Sequence, residues 1–128
     1  MSLMMMLELD QYASKRVIRD VLSRSDVDVC LETNERIDGN FPHSNMFFSF
    51  ESVKNGRLKA EDYSVDWSVG GEVVFAYVIS RFDECSQQLH DFLRTLSDAT
   101  PSKWVLSFQY ESVCAVRDEA GLQWLKTF

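Results

Sequence analysis

Apolar side chains recur every three or four residues in two segments, and this spacing predicts two amphipathic helices. The first predicted helix runs from Glu8 to Ser23. The second begins at Ser80, which forms a candidate capping box with Asp83, and ends before Thr100-Pro101. Its apolar stripe contains Phe82, Cys85, Leu89, Phe92, Leu93 and Leu96.

Other segments alternate between apolar and polar residues, or are apolar throughout, and these patterns predict β-strands. Gly70-Gly71 stands between two of the strands and predicts a tight hairpin, because glycine tolerates the positive φ of such turns. Asp38-Gly39-Asn40 and Pro42 predict a loop over residues 34–44. The predicted strands cover residues 27–33, 45–53, 63–69, 72–79, 103–116 and 122–128.

The order of these elements, α-β-β-β-β-α-β-β, predicts an α+β fold. We expect a mostly antiparallel sheet of five to six strands with both helices packed on one face. The chain has 128 residues, of which 45% are hydrophobic, and this suits one domain with its own core. Residues 1–7 are interpreted as a disordered or cloning-derived leader, and residues 8–128 as the single domain.

The charge balance bears on the class of partner. Twenty acids against thirteen bases give a formal net charge of −7, which disfavours binding to a phosphate backbone. The same charge favours a basic protein partner, although acidity also serves solubility alone.

The three cysteines have no CxxC spacing, and neither a signal peptide nor a membrane-spanning run is visible. These features predict a cytoplasmic protein.

Recognisable enzyme motifs are missing from the sequence. The five Cys and His residues are too widely spaced for a zinc site, and no glycine-rich phosphate loop occurs. Cys85 and His90 share a helix but lie about 140° apart around its axis, which argues against a catalytic dyad. We therefore predict no cofactor, no metal and no catalytic residue, and the sequence leans away from an enzyme without excluding one.

Carboxylates form the most suggestive set of polar residues. Asp26, Asp28 and Glu32 lie on the polar side of one predicted strand, and Asp62 and Asp66 on that of another. If those strands are neighbours, the five acids converge on one patch, which could bind a basic partner, hold a hard cation or remain solvated. A second acidic stripe repeats every seven residues along the second helix and consists of Glu84, Asp91 and Asp98.

These observations favour a non-catalytic, acidic protein-binding module, in its concrete form an inhibitor or toxin-immunity-type protein that shields a basic partner. The alternative is a small-molecule-binding domain or small enzyme with a pocket between helix and sheet. His43, Tyr63 and Cys114 are the candidate polar residues of that pocket. A homodimer joined through an open sheet edge is a third possibility.

Overall fold

The computed structural model describes residues 3–128, which form eight strands and two α-helices. The helices are α1 (Lys15–Ser23) and α2 (Phe82–Ala99), and a short 3₁₀ turn (Ile79–Arg81) precedes α2. The strands are β1 (Leu3–Asp10), β2 (Asp28–Glu32), β3 (Arg36–Phe41), β4 (Met46–Gly56), β5 (Val69–Tyr77), β6 (Trp104–Phe108), β7 (Ser112–Asp118) and β8 (Gly121–Trp124).

All eight strands join one antiparallel sheet in the order β2-β3-β4-β5-β1-β6-β7-β8. Both helices contribute to one core with alternate residues of the central strands, among them Leu7 of β1 and Phe75 of β5. We call this helix-covered side the inner face of the sheet and the opposite side the outer face. The predicted single α+β domain is therefore confirmed in class, although the predicted five to six strands are too few.

Strand β1 corrects the interpretation of residues 1–7 as a leader outside the fold. Residues 3–7 belong to this strand, which pairs with β5 on one side and β6 on the other; residues 1 and 2 lie outside the described chain. Both faces of β1 carry buried side chains, with Met5 and Leu7 inward and Met6 and Glu8 outward. A strand covered on both faces is apolar without strict alternation, and this is why its pattern went unrecognised.

The first helix is shorter than predicted. Glu8–Asp10 complete β1, and α1 begins only at Lys15, after Ser14. Ser14 caps the helix, because its hydroxyl accepts a hydrogen bond from the backbone N–H of Val17. The helix buries Ile18, Val21 and Leu22 as the apolar spacing predicts.

Strand β3 corrects the loop predicted for residues 34–44. Asp38-Gly39-Asn40 lies inside β3 and pairs with β4. Gly39 serves close packing here, since a Cβ at this position would stand 2.8 Å from Cζ of Phe48 and would also collide with the carbonyl of Asp28. A glycine required by close approach has the same appearance in a sequence as a glycine required by a turn.

The predicted Gly70-Gly71 hairpin is also wrong, because both glycines lie within β5. Residues 57–68 form an irregular connection from β4 to β5 that crosses the outer face. Its apolar side chains, which include Tyr63 and Trp67, pack around Val105 and Val116 of β6 and β7. The alternation in residues 63–68 therefore reflects one-sided burial without strand pairing.

The single strand predicted over residues 103–116 divides into β6 and β7. Gln109 and Tyr110 form the turn between them with φ values of 50° and 67°, and the N–H of Glu111 donates to the carbonyl of Phe108 at 2.8 Å. Positive φ at both central residues is the geometry of a type I′ turn. Neither residue is glycine or asparagine, so the usual sequence signal is missing.

Helix α2 follows its prediction most closely. It ends at Ala99 before Thr100-Pro101, and five of its six stripe residues are buried, while Phe82 remains 39% exposed. The predicted Ser80–Asp83 capping box is wrong, because Ser80 lies in the 3₁₀ turn and Arg81 occupies the N-cap without a side-chain bond. The strand predicted over residues 122–128 corresponds to β8, which spans Gly121–Trp124.

Candidate functional site

The first set of predicted acids does not form one patch. Asp62 and Asp66 lie in the irregular connection over β1, β6 and β7, whereas Asp28 belongs to the edge strand β2. Strands β3, β4 and β5 stand between these two regions. Asp26 is exposed just before β2. The condition under which the five acids would converge, that their segments are neighbours in the sheet, is therefore not met.

Glu32 faces the opposite side of the sheet from Asp28. Its carboxylate lies 2.6 Å from Nζ of Lys15 and 3.1 Å from Nε of Arg19, so it ties the edge strand β2 to the basic face of α1. The hydrogen bond from Lys15 lowers the pKa of Glu32, and the bond from Arg19 adds to this effect. Glu32 is thus engaged within the chain.

The acidic stripe on α2 is partly engaged in ion pairs. Glu84 binds Arg81, with 2.6 Å between Oε1 and Nε, and its other oxygen lies 3.2 Å from Nε2 of His43. The hydrogen bond from Arg81 holds the pKa of Glu84 below its usual value. Asp91 lies 3.6 Å from Arg94. Asp98, like Asp91, is exposed.

The three residues proposed for a pocket are dispersed. His43 lies in the connection between β3 and β4 with 71% of its side chain exposed. Tyr63 lies over the outer face, and Cys114 lines an apolar cavity on the inner side of β7. The structure therefore does not assemble the predicted trio.

The outer face carries an exposed apolar row across three neighbouring strands. Phe47 on β4 lies opposite Ala76 on β5, which lies opposite Met4 on β1. Phe47 is 41% exposed and Met4 is 40% exposed. We call these three residues the apolar row. Ser49, Val74 and Met6 form the next row of the same face.

An acidic row follows on the same three strands. Glu51 on β4 lies opposite Glu72 on β5, which lies opposite Glu8 on β1. Like charges at directly opposed positions repel each other and destabilise a sheet unless other groups compensate them. We call these three glutamates the acidic row.

Glu8 and Glu72, the two less exposed members of the acidic row, are held by different groups. The fully buried carboxylate of Glu8 accepts the backbone N–H groups of Lys59 and Ala60 at 2.8 and 3.1 Å. Burial nevertheless raises the pKa of Glu8, and the negative charge of Glu72 raises it further. The two hydrogen bonds lower this pKa but do not cancel the rise. Glu8 therefore anchors the irregular connection to the central strand.

Glu72 is held by the β6–β7 turn and by Lys59. The hydroxyl of Tyr110 donates to Oε1 of Glu72, and Nζ of Lys59 lies 3.7 Å from Oε2. The same ammonium lies 5.6 Å from the centre of the Tyr110 ring. Burial raises the pKa of the Tyr110 phenol, and the bond to Glu72 raises it further, so the phenol remains a donor at neutral pH.

A shallow cleft of about 180 Å³ lies next to these groups and is lined by Ser49, Glu51, Val53, Lys59, Glu72 and Val74. Glu51 is exposed at its edge, and the site offers carboxylate oxygens beside apolar surface. Such an arrangement can accept a lysine or arginine side chain from a partner. Within residues 3–128, no three His, Cys, Asp or Glu side chains are grouped in a way that could bind a metal ion.

Sequence reasoning missed the members of the acidic row and Tyr110. Glu8 carried a signal, because it is a single acid in an otherwise apolar run of six residues before Asp10. Glu72 and Glu51 carried none, since their alignment depends on which strands are neighbours.

None of the helices in residues 3–128 is long and apolar enough to cross a membrane. Comparison of the chain with protein-family models, with curated proteins and with solved structures found no match.

Proposed function

We propose that this chain is a non-catalytic, acidic protein-binding module and that it binds its partner through the outer face of the sheet. One observation carries the proposal: the exposed apolar row and the acidic row lie on the same three strands, with only one row of residues between them. Apolar surface that provides contact area beside charge that provides orientation is typical of a protein interface.

The apolar row supplies the contact area. Phe47 and Met4 are large, partly exposed side chains that lie on either side of the small Ala76. Contiguous exposed apolar residues on a monomer often mark a binding surface, and aromatic residues and methionine are enriched at interfaces. A partner that covers this row would remove both side chains from water.

The acidic row selects the charge of the partner. Glu51 is exposed, and Glu72 reaches the cleft beside it. Together with the net charge of −7, these carboxylates favour approach of a basic surface, and the exposed Glu51 would pair with a lysine or arginine that enters the cleft. If the partner has a cationic active site that binds phosphates, carboxylates of this chain can take the place of the phosphates. The chain would then act as an inhibitor of the toxin-immunity type.

The test is affinity capture from a lysate of the source organism with matched variants in parallel. Phe47→Thr and Glu51→Gln each alter the outer face, whereas Tyr12→Thr and Asp98→Asn make the same types of change at exposed positions elsewhere. We expect one basic protein to be retained by the wild type and by both controls, and lost or reduced at least about tenfold with both outer-face variants. Its retention should weaken as salt is raised.

Equal retention by all five proteins would contradict the proposal, as would capture that does not depend on salt or on Phe47. Analytical ultracentrifugation of the wild type and Phe47→Thr tests whether the outer face instead binds a second copy of the chain. A dimer that Phe47→Thr dissociates would identify a second copy of the chain as the partner and overturn the basic-partner proposal.

A further inference from the structure

A separate apolar cavity of about 260 Å³ lies on the inner side of the sheet, at the end remote from the β1–α1 turn. Its walls include Leu3 and Met5 of β1, Tyr77 at the end of β5, and Phe82 at the start of α2. Phe108 and Cys114 of the β6–β7 hairpin close another side. The cavity thus lies beside the ends of β1, β5, β6 and α2, and the first turn of α2 does not fill it.

Two of the polar side chains that line this cavity contact each other. Ser112 and Lys126 line it, and the Lys126 ammonium donates a hydrogen bond to the Ser112 hydroxyl. Within residues 3–128, Lys126 has no carboxylate oxygen within 4.0 Å, although the protein carries seven more acids than bases. An uncompensated cation beside an apolar cavity is complementary to an anion with an apolar tail.

We infer that this cavity binds a medium-chain carboxylate, with the carboxylate on Lys126 and Ser112 and the chain between Met5, Phe82 and Phe108. The size of the cavity sets the length of the chain. A cavity of about 150 Å³ accommodates benzene, so 260 Å³ suits roughly ten non-hydrogen atoms. Octanoate, with eight carbons and two oxygens, has this size.

The carboxylate gains a charge-assisted bond from Lys126, and it can also accept the proton of the Ser112 hydroxyl, whose oxygen already accepts from Lys126. The alkyl chain leaves water for a wall formed mostly by apolar side chains. Neither contribution involves Phe47 or Glu51, which lie on the outer face of the sheet. Ligand binding at this cavity can therefore be tested independently of the proposed function.

The test is a titration of the isotope-labelled protein with sodium octanoate, below its micelle concentration, followed by two-dimensional amide NMR. We expect saturable shifts concentrated at Phe108, Ser112 and Cys114. Lys126→Gln removes the charge at an exposed position and should weaken octanoate binding at least about tenfold, whereas Lys126→Arg should restore it. Lys54→Gln, at an exposed lysine near the end of β4, is the matched control and should bind as the wild type does.

Titration with 1-octanol separates the two contributions to binding. The neutral alcohol cannot form an ion pair with the Lys126 ammonium, so its affinity should differ much less between the wild type and Lys126→Gln than that of octanoate does. The spectra also report whether each variant is folded. Absence of saturable shifts, shifts confined to another surface, or unchanged octanoate affinity in Lys126→Gln would each overturn the inference. Unchanged octanoate binding by Phe47→Thr and Glu51→Gln is expected and would show that the cavity acts apart from the outer face.

Discussion

Glu8 and Glu72 lie directly opposite each other on β1 and β5, so that two acids occupy paired positions at the centre of the sheet. Glu8 is buried beneath the connection from β4 to β5 and accepts two backbone N–H groups from it, whereas Glu72 accepts the hydroxyl of Tyr110. Each carboxylate thus holds a different outer-face segment against the sheet. At Glu8 these bonds do not outweigh burial and the charge of Glu72, since the pKa of Glu8 remains raised.

This pair predicts a specific dependence of stability on pH. Because burial raises the pKa of Glu8 above 4.5, the folded state binds its proton more tightly than the unfolded state does. The stabilisation from that proton is complete below pH 4.5 and is lost as pH rises through the folded-state pKa. Urea unfolding from pH 4 to pH 8 should show Glu8→Gln gaining stability relative to the wild type as pH rises.

Glu111→Gln, at an exposed acid of the β6–β7 turn, is the matched control for Glu8→Gln. Its difference in free energy of unfolding from the wild type should stay nearly constant over the same range. A parallel pH dependence of Glu8→Gln and the wild type would show that Glu8 does not contribute.

Removal of the Tyr110 hydroxyl should destabilise the protein. Tyr110→Phe leaves Glu72 without its donor in a partly buried position, and we expect the free energy of unfolding to fall by about 1 to 2 kcal/mol. Tyr12→Phe removes a hydroxyl from a side chain that is 67% exposed and should change the free energy by less than about 0.5 kcal/mol. Chemical denaturation of both variants checks the contrast, and equal effects would contradict the role given to Tyr110.

Strand β1 should be essential to the fold. Leu7→Ala removes a fully buried side chain from the inner face and should lower the free energy of unfolding by about 2 to 5 kcal/mol. Met4→Ala makes the same type of truncation on the exposed outer face of the same strand and should cost less than about 1 kcal/mol. Thermal and denaturant unfolding measure both variants. A small effect of Leu7→Ala would restore the interpretation of residues 3–7 as a leader.

A side chain at Gly39 should disturb the pairing of β2 with β3. In Gly39→Ala the new methyl group meets the Asp28 carbonyl and the Phe48 ring, and we expect a loss of about 1 to 3 kcal/mol. Asn40→Ala, at the next position of β3, is the control and should be tolerated better. Faster amide hydrogen exchange in β2 of Gly39→Ala would show that the pairing of β2 with β3 is weakened. Unchanged exchange together with unchanged stability would contradict the predicted clash at Gly39.

The three cysteines should differ in reactivity. Cys30 is exposed on β2, whereas Cys85 and Cys114 are buried, and burial raises the pKa of the Cys114 thiol. Under native conditions a thiol reagent should modify one cysteine at least about tenfold faster than the others. Peptide mapping should identify that residue as Cys30, and Cys30→Ser should abolish the fast phase. A fast phase that persists in Cys30→Ser would show that one of the buried thiols is accessible.

Local patterns predicted part of the fold, and α2 shows why. Its stripe from Cys85 to Leu96 buries one face of a helix, and Thr100-Pro101 stops it, so neighbours in the sequence were sufficient. The α+β class followed from the same kind of pattern. The acidity of the protein was also visible in the sequence, and the electrostatic part of the proposed function rests on it.

Tertiary structure decided the remainder, because strand pairing brings together residues that are distant in the chain. Gly39 and Gly70-Gly71 have the appearance of turn residues, and only the neighbouring strands show that they lie within strands. Asp28 and Asp62 were separated by the strand order, which places β3, β4 and β5 between their regions. Glu8, Glu51 and Glu72 were aligned by the pairing of β5 with both β4 and β1. Sequence alone determined which segments are apolar and how much charge the chain carries. The neighbours of each strand, and thus the position of every outer-face side chain, depend on long-range hydrogen bonds that no local pattern encodes.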